Sequence, residues 1–149
     1  MNLHYSGQEV VPKPKATVWA FITDPRQVAG CVPDVIDSTV LDDRRFDAKV
    51  KVAVGPVRGT FTFHIALDPD PGGERMRMTI NGGGFGSVLD LTATADLRDG
   101  GESTTLDWNA DATMRGPVAT IGGRVLDAQA QRVIASTFAN VKTKLTAAA

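Results

Sequence analysis

Several things are scarce in this chain, and each scarcity closes off a class of function. A single cysteine, Cys31, in 149 residues excludes an internal disulfide and suits a reducing, cytoplasmic setting. There are only two histidines, His4 and His64. No group of His, Cys or carboxylate residues has the spacing of a metal site. A net charge of −1 and a sequence pI near 6.1 leave no basic surface for nucleic acid. No apolar run is long enough to cross a bilayer. The opening MNLHYSGQEV lacks the basic-then-apolar pattern of a secretion signal, and the closing TAAA carries no basic amphipathic tail.

What is present is enough apolar material, 42% of residues, for one domain with its own core, and residues 1–149 are read as that single domain. Leu3 to Val11 reads as a strand with Gly7 as a bulge. PKPKATVWAFITDP follows as a short helix with Val18, Trp19, Phe21 and Ile22 on its apolar face, stopped at Asp24-Pro25. Arg26 to Cys31 is a second short helix or turn. From Asp34 onward the period becomes two. Val35 to Leu41 is a strand. Phe46, Ala48, Val50, Val52 and Val54 alternate with polar residues, as do Phe61, Phe63, Ile65 and Leu67. Met76, Met78 and Ile80, then Leu89, Leu91, Ala93, Ala95 and Leu97, then Leu106, Trp108, Ala110, Ala112 and Met114 continue the pattern. Short turns join these runs, so they form an antiparallel meander.

Gly116 to Leu145 is the one segment long enough to cross the domain as a single helix, with Pro117 in its first turn. Val118, Ile121 and Val125 form one apolar stripe; Ile134, Phe138, Val141 and Leu145 form another that does not superpose on it. The stripe therefore drifts or the helix bends near Gly122-Gly123. The expected fold is α+β: a curved antiparallel sheet of about seven strands wrapped around a long C-terminal helix, a helix grip.

Few residues look chemical. His64 lies on the wet face of its strand beside Thr60 and Thr62, and His4 also points outward, so both read as surface residues. Gly82-Gly83-Gly84-Phe85-Gly86 joins strands rather than opening a helix, which argues for a hairpin and against a phosphate cradle. Cys31 reads as a plain buried thiol. The inward rows are more informative. Ala93, Ala95, Ala110 and Ala112 stand beside large Phe, Met and Trp residues. Small residues there either let the helix approach closely or leave a cavity with an adaptable apolar lining.

Four segments, in order, resemble the CoxG family, named for the G subunit of carbon monoxide dehydrogenase, within the START-like (SRPBCC) helix-grip superfamily. They are Val18-Trp19 with Asp24-Pro25 and Cys31-Val32-Pro33; Val50-Lys51-Val52 with Gly55-Pro56-Val57-Arg58-Gly59-Thr60-Phe61; Thr104-Thr105-Leu106 into Trp108, Ala110 and Asp111; and Gly116 through Ala119 to Ile121-Gly122 and Arg124, with Phe138 as the late aromatic. After Cys31-Val32-Pro33 the family often has glycine, and here Asp34 stands instead. The resemblance covers nearly the whole chain.

It implies a hydrophobic cavity between sheet and C-terminal helix. It also implies a non-enzymatic role beside a molybdenum hydroxylase of the carbon monoxide dehydrogenase type, handling a lipophilic electron acceptor such as an isoprenoid quinone, or a lipid. No covalent cofactor and no metal are implied. Members are linked to recruiting the enzyme to the membrane, which adds peripheral contact with its inner face to the cytoplasmic expectation. Many carry a C-terminal membrane-seeking segment that this sequence does not show. The candidate ligand-binding residues are Phe61, Phe63, Met76, Met78, Phe85, Trp108, Met114, Val118, Ile121, Gly122 and Val125, with Phe85 as a gate. The rival readings are an assembly or membrane-recruitment factor without a ligand, and a START-like cyclase or hydrolase, which would need inward titratable groups. Homodimerisation stays open.

Overall fold

A computed structural model describes residues 1–147. Strand β1 (Asn2–Val11) leads into helices α1 (Lys15–Ile22) and α2 (Pro25–Ala29). Six strands follow: β2 (Val35–Val40), β3 (Arg45–Val54), β4 (Val57–Pro69), β5 (Arg75–Gly84), β6 (Ser87–Asp99) and β7 (Thr104–Arg115). The last element of the described residues is α3 (Gly123–Ala147). The seven strands form one antiparallel sheet in the order β1-β7-β6-β5-β4-β3-β2. Consecutive hairpins therefore run from β2 to β7, and β1 closes the sheet on the far side of β7. This is the expected helix grip.

Two local expectations need correction. The C-terminal segment is not one helix from Gly116. Pro117–Ile121 forms a 3₁₀ turn, Gly122 breaks it with φ 112° and ψ 147°, and the α-helix starts only at Gly123. A side chain at Gly122 would disfavour that positive φ, so the glycine sets the break and resets the helical phase. Gly7 is also not a bulge, because β1 pairs with β7 without a register shift from Asn2 to Val11. A Cβ at Gly7 would lie 3.0 Å from Trp108 Cζ2, so glycine is there to let the indole lie across the strand.

Three packed apolar clusters hold the fold. One joins Val11, Val18, Cys31, Leu97 and Leu106 to Val141 and Leu145 at the C-terminal end of α3. A second, Ala29, Phe46, Ala48, Ile65, Leu67 and Met76, seats α2 on the sheet. The third, Val54, Phe61, Val118 and Leu126, closes the other end of the grip around the start of α3. There Val118 N–H donates to the buried Ser87 Oγ at 2.9 Å, which fixes the 3₁₀ turn on β6.

Candidate functional site

Between these clusters the inner face of the sheet is apolar and only half-buried. Leu91, Ala93 and Ala95 of β6, and Trp108 of β7, point inward by strand alternation and cross-strand register. All four are half-buried, and none belongs to a packed cluster. Met78, Ile80 and Phe63 border them, also half-buried, at the margin of the second cluster. The middle of α3 behaves the same way. Ala130, Val133, Ile134 and Thr137 recur at helical spacing between buried Leu126 and buried Val141, yet stay half-buried and outside every cluster. The helix is thus seated at both ends over a middle zone of small and apolar groups.

Polar side chains tie α3 to both edges of the sheet. On the β1 side, Tyr5 Oη donates to Asp127 Oδ1 at 2.7 Å and Lys142 Nζ donates to Glu9 Oε1 at 3.0 Å. On the β2 side, Arg132 Nη2 donates to Asp34 Oδ2 at 2.7 Å, and Asn140 Nδ2 to the Cys31 carbonyl at 3.0 Å. Burial, then the hydrogen bond to and charge of Asp127, push the Tyr5 hydroxyl up to about 12. The Cys31 thiol is also raised, chiefly by burial and partly offset by Lys144. It is a core thiol rather than a nucleophile.

Trp108 borders the middle zone. Its cross-strand neighbours are Ala95 and Gly7, and its ring lies 5.6 Å from that of Phe138 on α3. Its Nε1 is the one buried side-chain nitrogen or oxygen among the described residues that no protein group pairs with. An unpaired buried donor of this kind costs on the order of 1–3 kcal/mol.

At the third cluster the grip has a rim. Phe85 and Gly86 form the two-residue β5–β6 turn, both at positive φ, 55° and 75°. A bulky residue at such a φ is uncommon. Phe85 is held there by packing: its ring is 5.9 Å from Phe61, and its tip rests on Gly59, where a Cβ would approach to 1.9 Å. It nevertheless remains 54% exposed.

The outer face of the sheet is different in kind. Two depressions there, of about 680 and 250 Å³, are lined mainly by polar residues such as His4, Thr79, Asn81, Asp90, Asp111 and His64. His4 Nδ1 lies 2.6 Å from Asp111 Oδ1, and His64 Nδ1 lies 2.7 Å from Asp47 Oδ1. Both histidines face out as expected, each against a carboxylate on the neighbouring strand. Among the described residues no group of His, Cys, Asp or Glu could hold a metal ion, and no helix is long and apolar enough to cross a membrane.

The family model for the G subunit of carbon monoxide dehydrogenase (CoxG) matches residues 7–146. The chain belongs to the CoxG family. No curated protein matches it significantly. Among solved structures, a conserved protein from Geobacillus kaustophilus superposes with TM-score 0.86 at 22% identity, over 97% of this chain and 95% of that one. A START superfamily protein from Mycobacterium smegmatis gives 0.75 at 12%, over 98% and 99% of the two chains. The Zhui aromatase/cyclase from Streptomyces sp. R1128 gives 0.67 at 15%, over 98% and 94%. At these identities the likeness establishes the fold alone.

Within this CoxG-family fold the sequence-predicted site residues fall into separate places. Phe61, Phe63, Met114, Val118 and Ile121 come together in and around the third cluster, beside Gly122, with Phe85 on their rim. Met76 is buried in the second cluster with Met78 at its edge, and Trp108 stands apart with Phe138. Val125 does not join them: the phase reset at Gly122 turns Leu126 inward and leaves Val125 41% exposed. Sequence reasoning missed the polar members of the inner row. Tyr5 and Glu9 lie on the inner side of β1, opposite Ala110 and Leu106. The period-two row Tyr5, Gly7, Glu9 was the signal, masked by the exposed Val10.

Proposed function

We propose that this CoxG-family protein binds an elongated apolar molecule between the middle of α3 and the inner rows of β5 to β7. It acts without catalysis, as an accessory or electron-acceptor carrier for a molybdenum hydroxylase of the carbon monoxide dehydrogenase type. An isoprenoid quinone or a lipid fits the chemistry. The observation that carries the reading is the half-buried middle zone: apolar residues on both the sheet and the helix that lie between buried clusters and belong to none of them. Small residues on its floor leave room, and burial alone can hold an apolar ligand at about 25 cal/mol per Å². The polar groups Tyr5 and Glu9 of β1 pair with Asp127 and Lys142 of α3 as helix ties, which supports binding over catalysis. Phe85, exposed and held at a positive φ on its rim, suits a gate.

Filling the zone tests this reading. The protein should take up N-phenyl-1-naphthylamine with a rise in its fluorescence. Ala93→Phe should abolish that uptake while leaving the melting temperature unchanged, because on this reading the new ring fills the space the ligand would take. A packed interior would instead make the same substitution cost about 1–3 kcal/mol through overpacking. That destabilisation, with no probe uptake by the unmodified protein, would overturn the proposal in favour of an assembly factor with a solid core.

A further inference from the structure

We infer that the ligand carries a hydrogen-bond acceptor oxygen, a carbonyl or hydroxyl, which receives the Trp108 Nε1–H at the β1 border of the site. The inference rests on the ligand-binding reading above and adds the polar end that the ligand must have. Three observations lead to it. First, Nε1 is buried and unpaired, and it stands alone in this among the described residues. Second, the nearest inward polar side chains do not reach it. Tyr5 and Glu9 flank Gly7 on the inner side of β1 and are drawn toward Asp127 and Lys142 of α3, and neither pairs with Nε1. Third, the edge of the indole that carries Nε1 lies over Gly7, where a Cβ would come within 3.3 Å of it. Neither Gly7 nor Ala95, the two cross-strand neighbours, offers a side chain that could accept.

A purely hydrocarbon ligand would leave this donor unpaired. A ligand with an apolar body over Ala93 and Ala95 and one oxygen at the β1 border would satisfy it and take a single orientation. Phe138 of α3 packs on the same indole, with ring centroids 5.6 Å apart, and holds its plane. Trp108 is then an orienting contact, while affinity comes mostly from the apolar wall.

The test uses two probes of nearly equal shape, 2-acetylnaphthalene and 2-ethylnaphthalene, which differ in one carbonyl. Affinities are measured by calorimetry on the unmodified protein and on Trp108→Phe. Loss of one net hydrogen bond is worth about 2- to 12-fold in affinity. Trp108→Phe should weaken 2-acetylnaphthalene by that factor and leave 2-ethylnaphthalene within about 2-fold. Equal weakening of both probes would overturn the inference and leave Trp108 as plain wall. Failure of both to bind the unmodified protein would overturn the ligand-binding reading itself, and the inference with it. Should Trp108→Phe not fold, the ¹⁵N-labelled unmodified protein decides, since it holds only one other tryptophan, Trp19. The Trp108 indole N–H resonance should move downfield with 2-acetylnaphthalene and not with 2-ethylnaphthalene. The same response to both would overturn the inference.

Discussion

The two ends of α3 and its middle are built from similar residues and behave differently. At the ends, Leu126, Val141 and Leu145 are buried in clusters that also hold the sheet. In the middle, Val133 and Ile134 recur at the same helical spacing and remain half-buried, outside every cluster. A helix needs tertiary packing more than propensity to stay in place. Concentrating that packing at the ends, with polar ties to both sheet edges, frees the middle from a structural role. The comparison teaches that the same fold can separate what stabilises it from what it offers to a ligand.

The sharpest way to break this comparison is to truncate both regions. Leu145→Ala and Leu126→Ala should each cost about 2–5 kcal/mol by denaturant unfolding, as buried leucines do. Ile134→Ala should cost about 1 kcal/mol or less, because it removes little buried contact. Equal losses would show the middle to be core. The rim sharpens it further. Asparagine suits the positive φ that Phe85 adopts in its two-residue turn. Phe85→Asn should therefore leave stability within about 1 kcal/mol, the gain in turn geometry offsetting lost aromatic contact. Probe affinity should nevertheless fall about 3- to 10-fold, roughly 1 kcal/mol of binding.

Much of this was legible in the sequence, for a physical reason. Period-two alternation marks a sheet with one buried face, and it correctly separated the inner rows from Phe46 to Met114. The long helix, the meander and the family motifs were equally visible. What escaped depends on distance along the chain. The carboxylate partners of His4 and His64 are 107 and 17 residues away, and only register brings them together. The alternation that turns His4 outward also places Tyr5 and Glu9 inward, but their partners Asp127 and Lys142 lie 122 and 133 residues away and only the fold brings them together. The helix start was misplaced because Pro117 and the apolar spacing after it suit a 3₁₀ turn as well as an α-helix, and only the Gly122 backbone separates them.

The polar ties yield smaller effects. Asp34 sits at φ 60° and accepts from Arg132. Asp34→Ala loses the tie and keeps the backbone strain, whereas Asp34→Gly loses the tie and relieves it. The alanine variant should be less stable than the glycine variant by about 1 kcal/mol, and equal stabilities would contradict the assigned strain. Tyr5 is the sole tyrosine, so its absorbance titration reads one group. Its raised pKa, about 12, means that the folded state holds the proton more tightly than the unfolded chain, whose tyrosine ionises near 10. That contribution is complete below the unfolded value and is lost as pH rises toward 12. Asp127→Asn should move the Tyr5 pKa down toward the ordinary value while burial keeps it somewhat raised. An unchanged titration would contradict the tie.

The most direct test of the central claim is native mass spectrometry of the protein purified from its own host, followed by solvent extraction of whatever travels with it. The account predicts one apolar molecule per chain, with an oxygen at one end and a long hydrocarbon body. A protein that arrives without a bound molecule, and takes up no quinone or lipid when these are added, would contradict it.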